Sequence, residues 1–192
     1  ASSLLAIRYL NSLTLTLVLA AVLSYGLLYT LCLKRRSPWG AVMGGIPGAL
    51  PVLVGYAAVA NCVRIDGIIL FAVMLLWQPP HFWALALEYS DDYRAASIPV
   101  LPVTHGKRFT AIFTLIFAAS LVPASLLLWF SGFCSARYAC AALIAGVAFL
   151  ASCYLFIVRK ERYALAFNAS IIYLTLLFAA IIGDICFFGV AP

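Results

Sequence analysis

The chain has 192 residues, of which 66% are hydrophobic and only 9% charged, and its mean hydropathy is +1.12. Soluble domains of ordinary usage carry about 25% charged residues, so composition excludes a soluble globular protein and specifies an integral membrane protein. The net charge of +6 does not signal nucleic acid, because the basic residues flank apolar runs and form no basic surface interleaved with aromatics.

A helix needs about 20 apolar residues to cross the hydrocarbon core. On that rule the chain opens in the tail of a helix over residues 1–10, followed by spans near 12–33, 40–60, 67–87, 109–130, 138–158 and 167–189. The expected fold is all-α: a single membrane domain, a polytopic bundle of about six complete spans plus the end of a preceding one. No secretory signal pattern opens the sequence, and the chain reads as the later part of a longer protein. The cysteines (32, 62, 134, 140, 153 and 186) form no CxxC pair and are expected to be small buried hydrophobes, neither zinc ligands nor disulfides.

The first span ends in Lys34-Arg35-Arg36. In isolation this is an interfacial anchor, but the same cations suit a diphosphate, Arg as a bidentate fork and Lys as a point charge. Gly44 to Tyr56 is dense in small residues, which lets helices approach closely and is the better explanation than a widened cavity. In the next span the apolar run meets Gln78-Pro79-Pro80-His81. Proline removes backbone donors and disfavours helix before it, so a break with freed carbonyls is expected here, tolerated only where it faces protein or a wet cavity. A histidine at such a break either closes it by hydrogen bonding or serves a site.

The connection from Glu88 to Arg108 is the one long link, and long links in compact folds are usually functional. If the helix runs on past Leu87, then Glu88, Asp91 and Asp92 share one face at i, i+3 and i+4 spacing. Clustered carboxylates repel one another unless a cation lies between them, and Mg²⁺ takes carboxylates together with substrate phosphates. The alternative is a solvated loop, the commoner fate of a charge run. His105 belongs to a loop beside Gly106 and Lys107 with no site role expected. Asp184, in the last span, has no partner that the sequence reveals.

Alternate connections hold nine Lys and Arg (34, 35, 36, 94, 107, 108, 159, 160 and 162) against three on the other side (8, 64 and 137). The positive-inside rule then places the acidic loop and the Lys34-Arg35-Arg36 loop on the same, cytoplasmic-type side. Carboxylates for a metal and cations for a diphosphate on one face are what loss of a diphosphate leaving group requires.

The stretches Tyr29 to Val59 and Trp77 to Gly106 resemble the paired signatures of the protoheme IX farnesyltransferase family, a branch of the UbiA-type membrane prenyltransferases. The likeness runs in order from about Asn11 to Gly106. It is specific in Trp77-Gln78-Pro79-Pro80-His81-Phe82 and in the run from Asp92-Tyr93-Arg94 to Leu101-Pro102, which separate this branch from quinone and chlorophyll prenyltransferases. The resemblance implies a helical bundle around a cavity open towards lipid, and farnesyl transfer from farnesyl diphosphate to a vinyl group of haem B, with Mg²⁺ as cofactor. It implies Asp91, Asp92 and, as a looser match, Glu88 at the metal; Asp92, Lys34 and Arg35 as the catalytic groups at the diphosphate; and His81, Trp77, Tyr93, Arg94 and Arg36 on substrate. Trp77, Phe82, Trp83 and Tyr93 are candidates to shield a carbocation, although for each ring packing or anchoring is the simpler role. A bacterial or mitochondrial inner membrane, and haem A synthase or terminal-oxidase assembly as partners, follow from the same resemblance.

One departure is plain: no Asp or Glu precedes Asp66, so the family's first acidic motif is absent. A chain lacking half its metal site is expected to be catalytically incompetent alone, whether as a truncated piece or a degenerate remnant. The rival expectations are a prenyltransferase for another aromatic acceptor, and a transporter or haem-binding scaffold without chemistry.

Overall fold

A computed structural model describes residues 11–27 and 37–188 of the chain. Nine helices are described: α1 (Ser12–Leu23), α2 (Gly40–Met43), α3 (Gly45–Ala60), α4 (Ile65–Glu88), α5 (Ser90–Ala95), α6 (Leu101–Thr104), α7 (Gly106–Phe130), α8 (Ala136–Cys153) and α9 (Tyr163–Phe188), with a π-helical segment, Tyr154–Arg159, extending α8. Among the described residues there is no strand. Five helical stretches are long and apolar enough to cross a membrane: Gly40–Ala60, Ile65–Glu88, Gly106–Phe130, Ala136–Arg159 and Tyr163–Phe187. They coincide with the expected spans, each within four residues. Of the expected span at 12–33, the apolar helix Ser12–Leu27 is described, and the rest lies outside the described residues with the tail over 1–10.

The long helix α4 is the hub, packing on α3, α7 and α9, while α8 closes against α7 and α9. Ile69, Val73, Ala84 and Leu87 of α4 join Leu121 and Leu128 of α7, Tyr138 and Phe149 of α8, and Tyr173 and Leu177 of α9 in one buried cluster. Large apolar side chains such as Ile144, Ile172 and Ile182 face outward, as expected where the surroundings are lipid.

Glycines set the closest approaches. A Cβ on Gly48 would stand 2.2 Å from Gln78 Oε1, and one on Gly45 would stand 3.0 Å from a Leu75 methyl group. The small-residue stripe therefore packs α3 on α4, as the sequence suggested. Helix α1 is tied to α3 by Asn11, whose amide donates to Ala57 O at 2.6 Å while its Oδ1 caps Thr14 N at 2.8 Å.

Two expectations are corrected. Helix α4 is not broken at Pro79-Pro80; it runs unbroken from Ile65 to Glu88 with both prolines buried inside it. The missing N–H of Pro79 frees the carbonyl of Leu75, which lies against Gly45, and Gln78 bridges the two helices by donating to Gly45 O at 2.9 Å. Packing of this kind against a neighbouring helix lets a membrane helix keep its prolines. The link after Glu88 is likewise no open loop, since α5 and α6 lie within it and α7 starts at Gly106, whose φ of +84° forms the corner.

Candidate functional site

Helix α4 carries the site on its second half. Trp77, Gln78, His81 and Phe82 line a cavity of about 340 Å³, closed on the far side by Tyr25, Gly40, Ala41, Gly44 and Gly48. A second cavity of about 210 Å³ lies between Ser37, Pro38, Gly40 and Ala41 on one side and Phe82, Tyr93, Ile98 and Pro99 on the other. The two share Gly40, Ala41 and Phe82 as a common wall. Tyr93, from the acidic link, stands 6.4 Å from Phe82 between ring centroids. The structure thus brings the Pro-Pro-His-Phe segment, the Tyr93 link and the residues just after Arg36 to one place. Lys34, Arg35 and Arg36 themselves lie outside the described residues.

His81 is held on three sides. Its ring stacks between Trp77 and Phe167, with centroids 4.4 Å away on each side. Its Nδ1 lies 2.7 Å from Ser170 Oγ, and that hydroxyl donates to Phe167 O at 2.6 Å. With the hydroxyl proton committed, Ser170 accepts from His81, and this network assigns the proton of the neutral ring to Nδ1. Nε2 is left as an acceptor on a side chain that lines the cavity. Trp77 is fixed by donating from Nε1 to Ser170 O at 2.8 Å. Ser170 and Phe167 escaped the sequence reading; they stand 89 and 86 positions from His81, and only folding reveals them.

The acidic group is arranged differently from the expectation of one helical face. Tyr89, at φ −101° and ψ 28°, separates α4 from α5. Glu88 turns to the start of α9 and accepts from Ala164 N at 3.0 Å, a favourable place for a carboxylate at a helix N-terminus. Asp91 pairs with Arg94 at 2.7 Å, the two side chains 90% and 62% exposed. Asp92 is exposed beside it. Among the described residues no three His, Cys, Asp or Glu side chains converge as a ligand set. What remains is two adjacent, exposed carboxylates, Asp91 and Asp92, hard oxygen donors of the type that Mg²⁺ takes.

The other singled-out residues have structural roles. Trp83 is fully buried and packs edge-on against Trp39, Phe113 and Phe117. His105 is exposed, 2.8 Å from Thr104 Oγ1, and stacks on Phe109. Asp184 has a partner after all: buried in α9, it accepts from both the backbone N–H and the hydroxyl of Ser135, the N-cap of α8. Of the cysteines, Cys134 and Cys153 are buried as expected, whereas Cys62, Cys140 and Cys186 are exposed; all five are free thiols. Cys32 lies outside the described residues.

The sequence model of the UbiA prenyltransferase family matches residues 1–182. Similar curated proteins include the protoheme IX farnesyltransferase of Geotalea uraniireducens, 57% identical over 182 residues that cover 95% of this chain and 70% of the relative. That of Aquifex aeolicus is 42% identical, over 95% of this chain and 63% of the relative. That of Hahella chejuensis is 41% identical, over 91% of this chain and 59% of the relative. The chain therefore spans roughly three fifths to seven tenths of the length of these relatives. No solved structure matches it. A helical membrane bundle in which the two signature segments meet, together with a family match over nearly the whole chain, leads to one assignment: the chain belongs to the UbiA prenyltransferase family.

Proposed function

We propose that this chain carries the acceptor pocket and part of the diphosphate site of a protoheme IX farnesyltransferase, which joins the farnesyl group of farnesyl diphosphate to a vinyl group of haem B with addition of one water, giving haem O and diphosphate. The observation that carries this reading is the 57% identity, over 95% of the chain, to a relative of that name. The paired cavities beside the two signature segments support it.

In this reading the diphosphate lies at the end of the bundle that carries Asp91, Asp92 and Arg94, with Lys34, Arg35 and Arg36 on its other flank. Mg²⁺, held by Asp91 and Asp92 with phosphate oxygens, supplies positive charge to the leaving group when bound. Lys34 and Arg35 add donors where negative charge grows as the allylic C–O bond breaks and its electron pair leaves on the diphosphate oxygen. Arg94 is free to turn from Asp91 to a phosphate, because an exposed ion pair is worth little. Trp77, Phe82 and Tyr93 present ring faces to the allylic cation. The vinyl π electrons form the new C–C bond, the carbocation left on the other vinyl carbon is captured by a water oxygen that then releases a proton, and His81 and Trp77 bear on the acceptor. The site faces the cytoplasm, or the matrix in a mitochondrion, and the product passes to haem A synthase or oxidase assembly in the same inner membrane.

The test uses the full-length protein in membranes supplied with haem B, farnesyl diphosphate and Mg²⁺, with haem O quantified by chromatography. Asp92→Ala is expected to remove at least 100-fold of turnover, on the order of what one electrostatic group contributes, while the protein stays folded. Near-normal turnover would sink the role of Asp92. Farnesylation of a quinone precursor in place of haem would overturn the acceptor, and haem binding indifferent to farnesyl diphosphate and Mg²⁺ would overturn the chemistry.

A further inference from the structure

On the side of the bundle away from His81, α7 and the α8 helix with its π-helical extension line two cavities in succession. At its charged end Lys107, Arg108 and Ala111 of α7 face Ile157, Val158, Glu161 and Tyr163 around a cavity of about 260 Å³. Along the same two helices, Leu115, Ile116 and Ala119 face Val147, Leu150, Ala151 and Tyr154 around an apolar cavity of about 540 Å³. Positions 108, 111, 115 and 119 recur at i+3 and i+4 spacing, so one stripe of α7 lines both cavities. The opposite wall is where α-helix gives way to π-helix at Tyr154, and π-helical turns are rare and often functional.

From these features we infer a binding site for one anionic phospholipid of the bilayer, its phosphate at Lys107 and Arg108 and one acyl chain in the apolar trough. The charge fits. Arg159, Lys160 and Arg162 adjoin the mouth, making five cations with Lys107 and Arg108. Two carboxylates are near: Glu161 is shared between Lys107 at 3.9 Å and the Tyr163 hydroxyl at 3.2 Å, and Glu88 is engaged by Ala164 N at 3.0 Å. The Lys107 and Glu161 side chains are 57% and 68% exposed, so the long ion pair and the Tyr163 ring 5.5 Å beneath the ammonium hold Lys107 only weakly and leave it available to a phosphate. The length fits as well. From Lys107 to Ala119 the helix rises about 18 Å, close to one leaflet of a hydrocarbon core about 30 Å thick. Clustered Lys and Arg at a membrane surface attract anionic headgroups; the apolar trough beneath them adds a place for a chain, which a plain interfacial anchor lacks.

The experiment is native mass spectrometry of the purified, delipidated full-length protein titrated with phosphatidylglycerol or phosphatidylcholine. One phosphatidylglycerol is expected to be retained, with phosphatidylcholine bound at least tenfold more weakly. Lys107→Gln/Arg108→Gln is expected to weaken retention by about tenfold or more. Ala119→Phe, or Ala151→Phe should the first variant fold poorly, fills the trough at an exposed position and is expected to abolish retention with the cations intact. Arg137→Gln, at the opposite end of the bundle, should change nothing. Equal retention by the Lys107/Arg108 variant, or of the two lipids, would overturn the site. So would displacement by glycerol phosphate at the same concentration, which would mark a bare phosphate site.

Discussion

Ser170 controls His81 without belonging to the same stretch of chain. Its hydroxyl gives its proton to Phe167 O and accepts from His81 Nδ1, so Ser170→Ala removes the group that selects the tautomer. The ring keeps its stacking between Trp77 and Phe167, and the expected loss of stability is modest, about 1 kcal/mol for one hydrogen bond. The readout specific to this role is the ring's own ¹⁵N spectrum: Nδ1 protonated in the unmodified protein, a mixture of tautomers in Ser170→Ala. An unchanged tautomer would show that stacking alone orients the ring. Gly48 offers a test of opposite character. Its missing side chain admits Gln78 Oε1 to within 2.2 Å of where a Cβ would stand, so Gly48→Ala forces Gln78 away and breaks its bond to Gly45 O. The clash falls on the far end of a flexible side chain, so the cost is mainly that of the lost hydrogen bond, about 1 kcal/mol. In the double variant Gly48→Ala/Gln78→Ala, most of the clash is relieved, and the coupling in a double-mutant cycle is expected to be at least about 0.5 kcal/mol.

At the scale of helices, carboxylates act as fasteners between elements distant in sequence. Asp184 of α9 binds the N–H and hydroxyl of Ser135 at the head of α8, placing negative charge at a helix N-terminus. Asp184→Ala leaves those donors unpaired in a partly buried place, a loss of about 1–3 kcal/mol, visible as a lower thermal midpoint in detergent. Asp184→Asn, which still accepts, should lose less; equal losses would mean that the pair is not what matters. Glu88 makes the same kind of link to Ala164 at the start of α9. These fasteners explain what the sequence conceals. The spans are legible because a bilayer of fixed thickness demands a fixed run of apolar residues, and five of them lie where hydropathy puts them. The Pro-Pro-His-Phe segment stands out in the sequence because a histidine beside two prolines is unusual in an apolar run. The partners of Glu88, Asp184 and His81 are not legible: each lies 49 or more positions away, and no local period encodes them. The unbroken helix at Pro79-Pro80 belongs with them, since the helix that packs against it there, through Gln78 and Gly45, is 33 positions away.

For the whole molecule, the ends of the bundle sort the chemistry. Asp91, Arg94, Lys107 and Glu161 gather at one end, where Lys107 meets Glu161 and Glu88 meets Ala164. Cys62, Arg64, Cys134 and Arg137 belong to the connections at the other. The proposed orientation has the first end cytoplasmic, as the positive-inside rule expects, and the cysteines can test it. Cys62 is exposed, whereas Cys134 is buried at 2% exposure. Burial, with the nearby Asp184 carboxylate adding to it, pushes the Cys134 thiol from an ordinary 9.0 up to about 12. The thiolate is the reactive form, so at pH 8 Cys134 stays protonated as well as shielded. The sign for stability follows: a raised folded value favours the protonated state, so its contribution is complete below about 9 and is lost as pH climbs towards about 12. A membrane-impermeant maleimide applied at pH 8 to sealed vesicles is expected to label Cys62 from the periplasmic face and to spare Cys134 until the protein unfolds. Cysteine introduced by Ala96→Cys, an exposed position beside Arg94, is expected to be labelled from the cytoplasmic face alone. Labelling of both positions from one side would overturn the separation of the two ends, and exchange of the two patterns would invert the bundle and overturn the proposed cytoplasmic placement of Asp91 and Asp92.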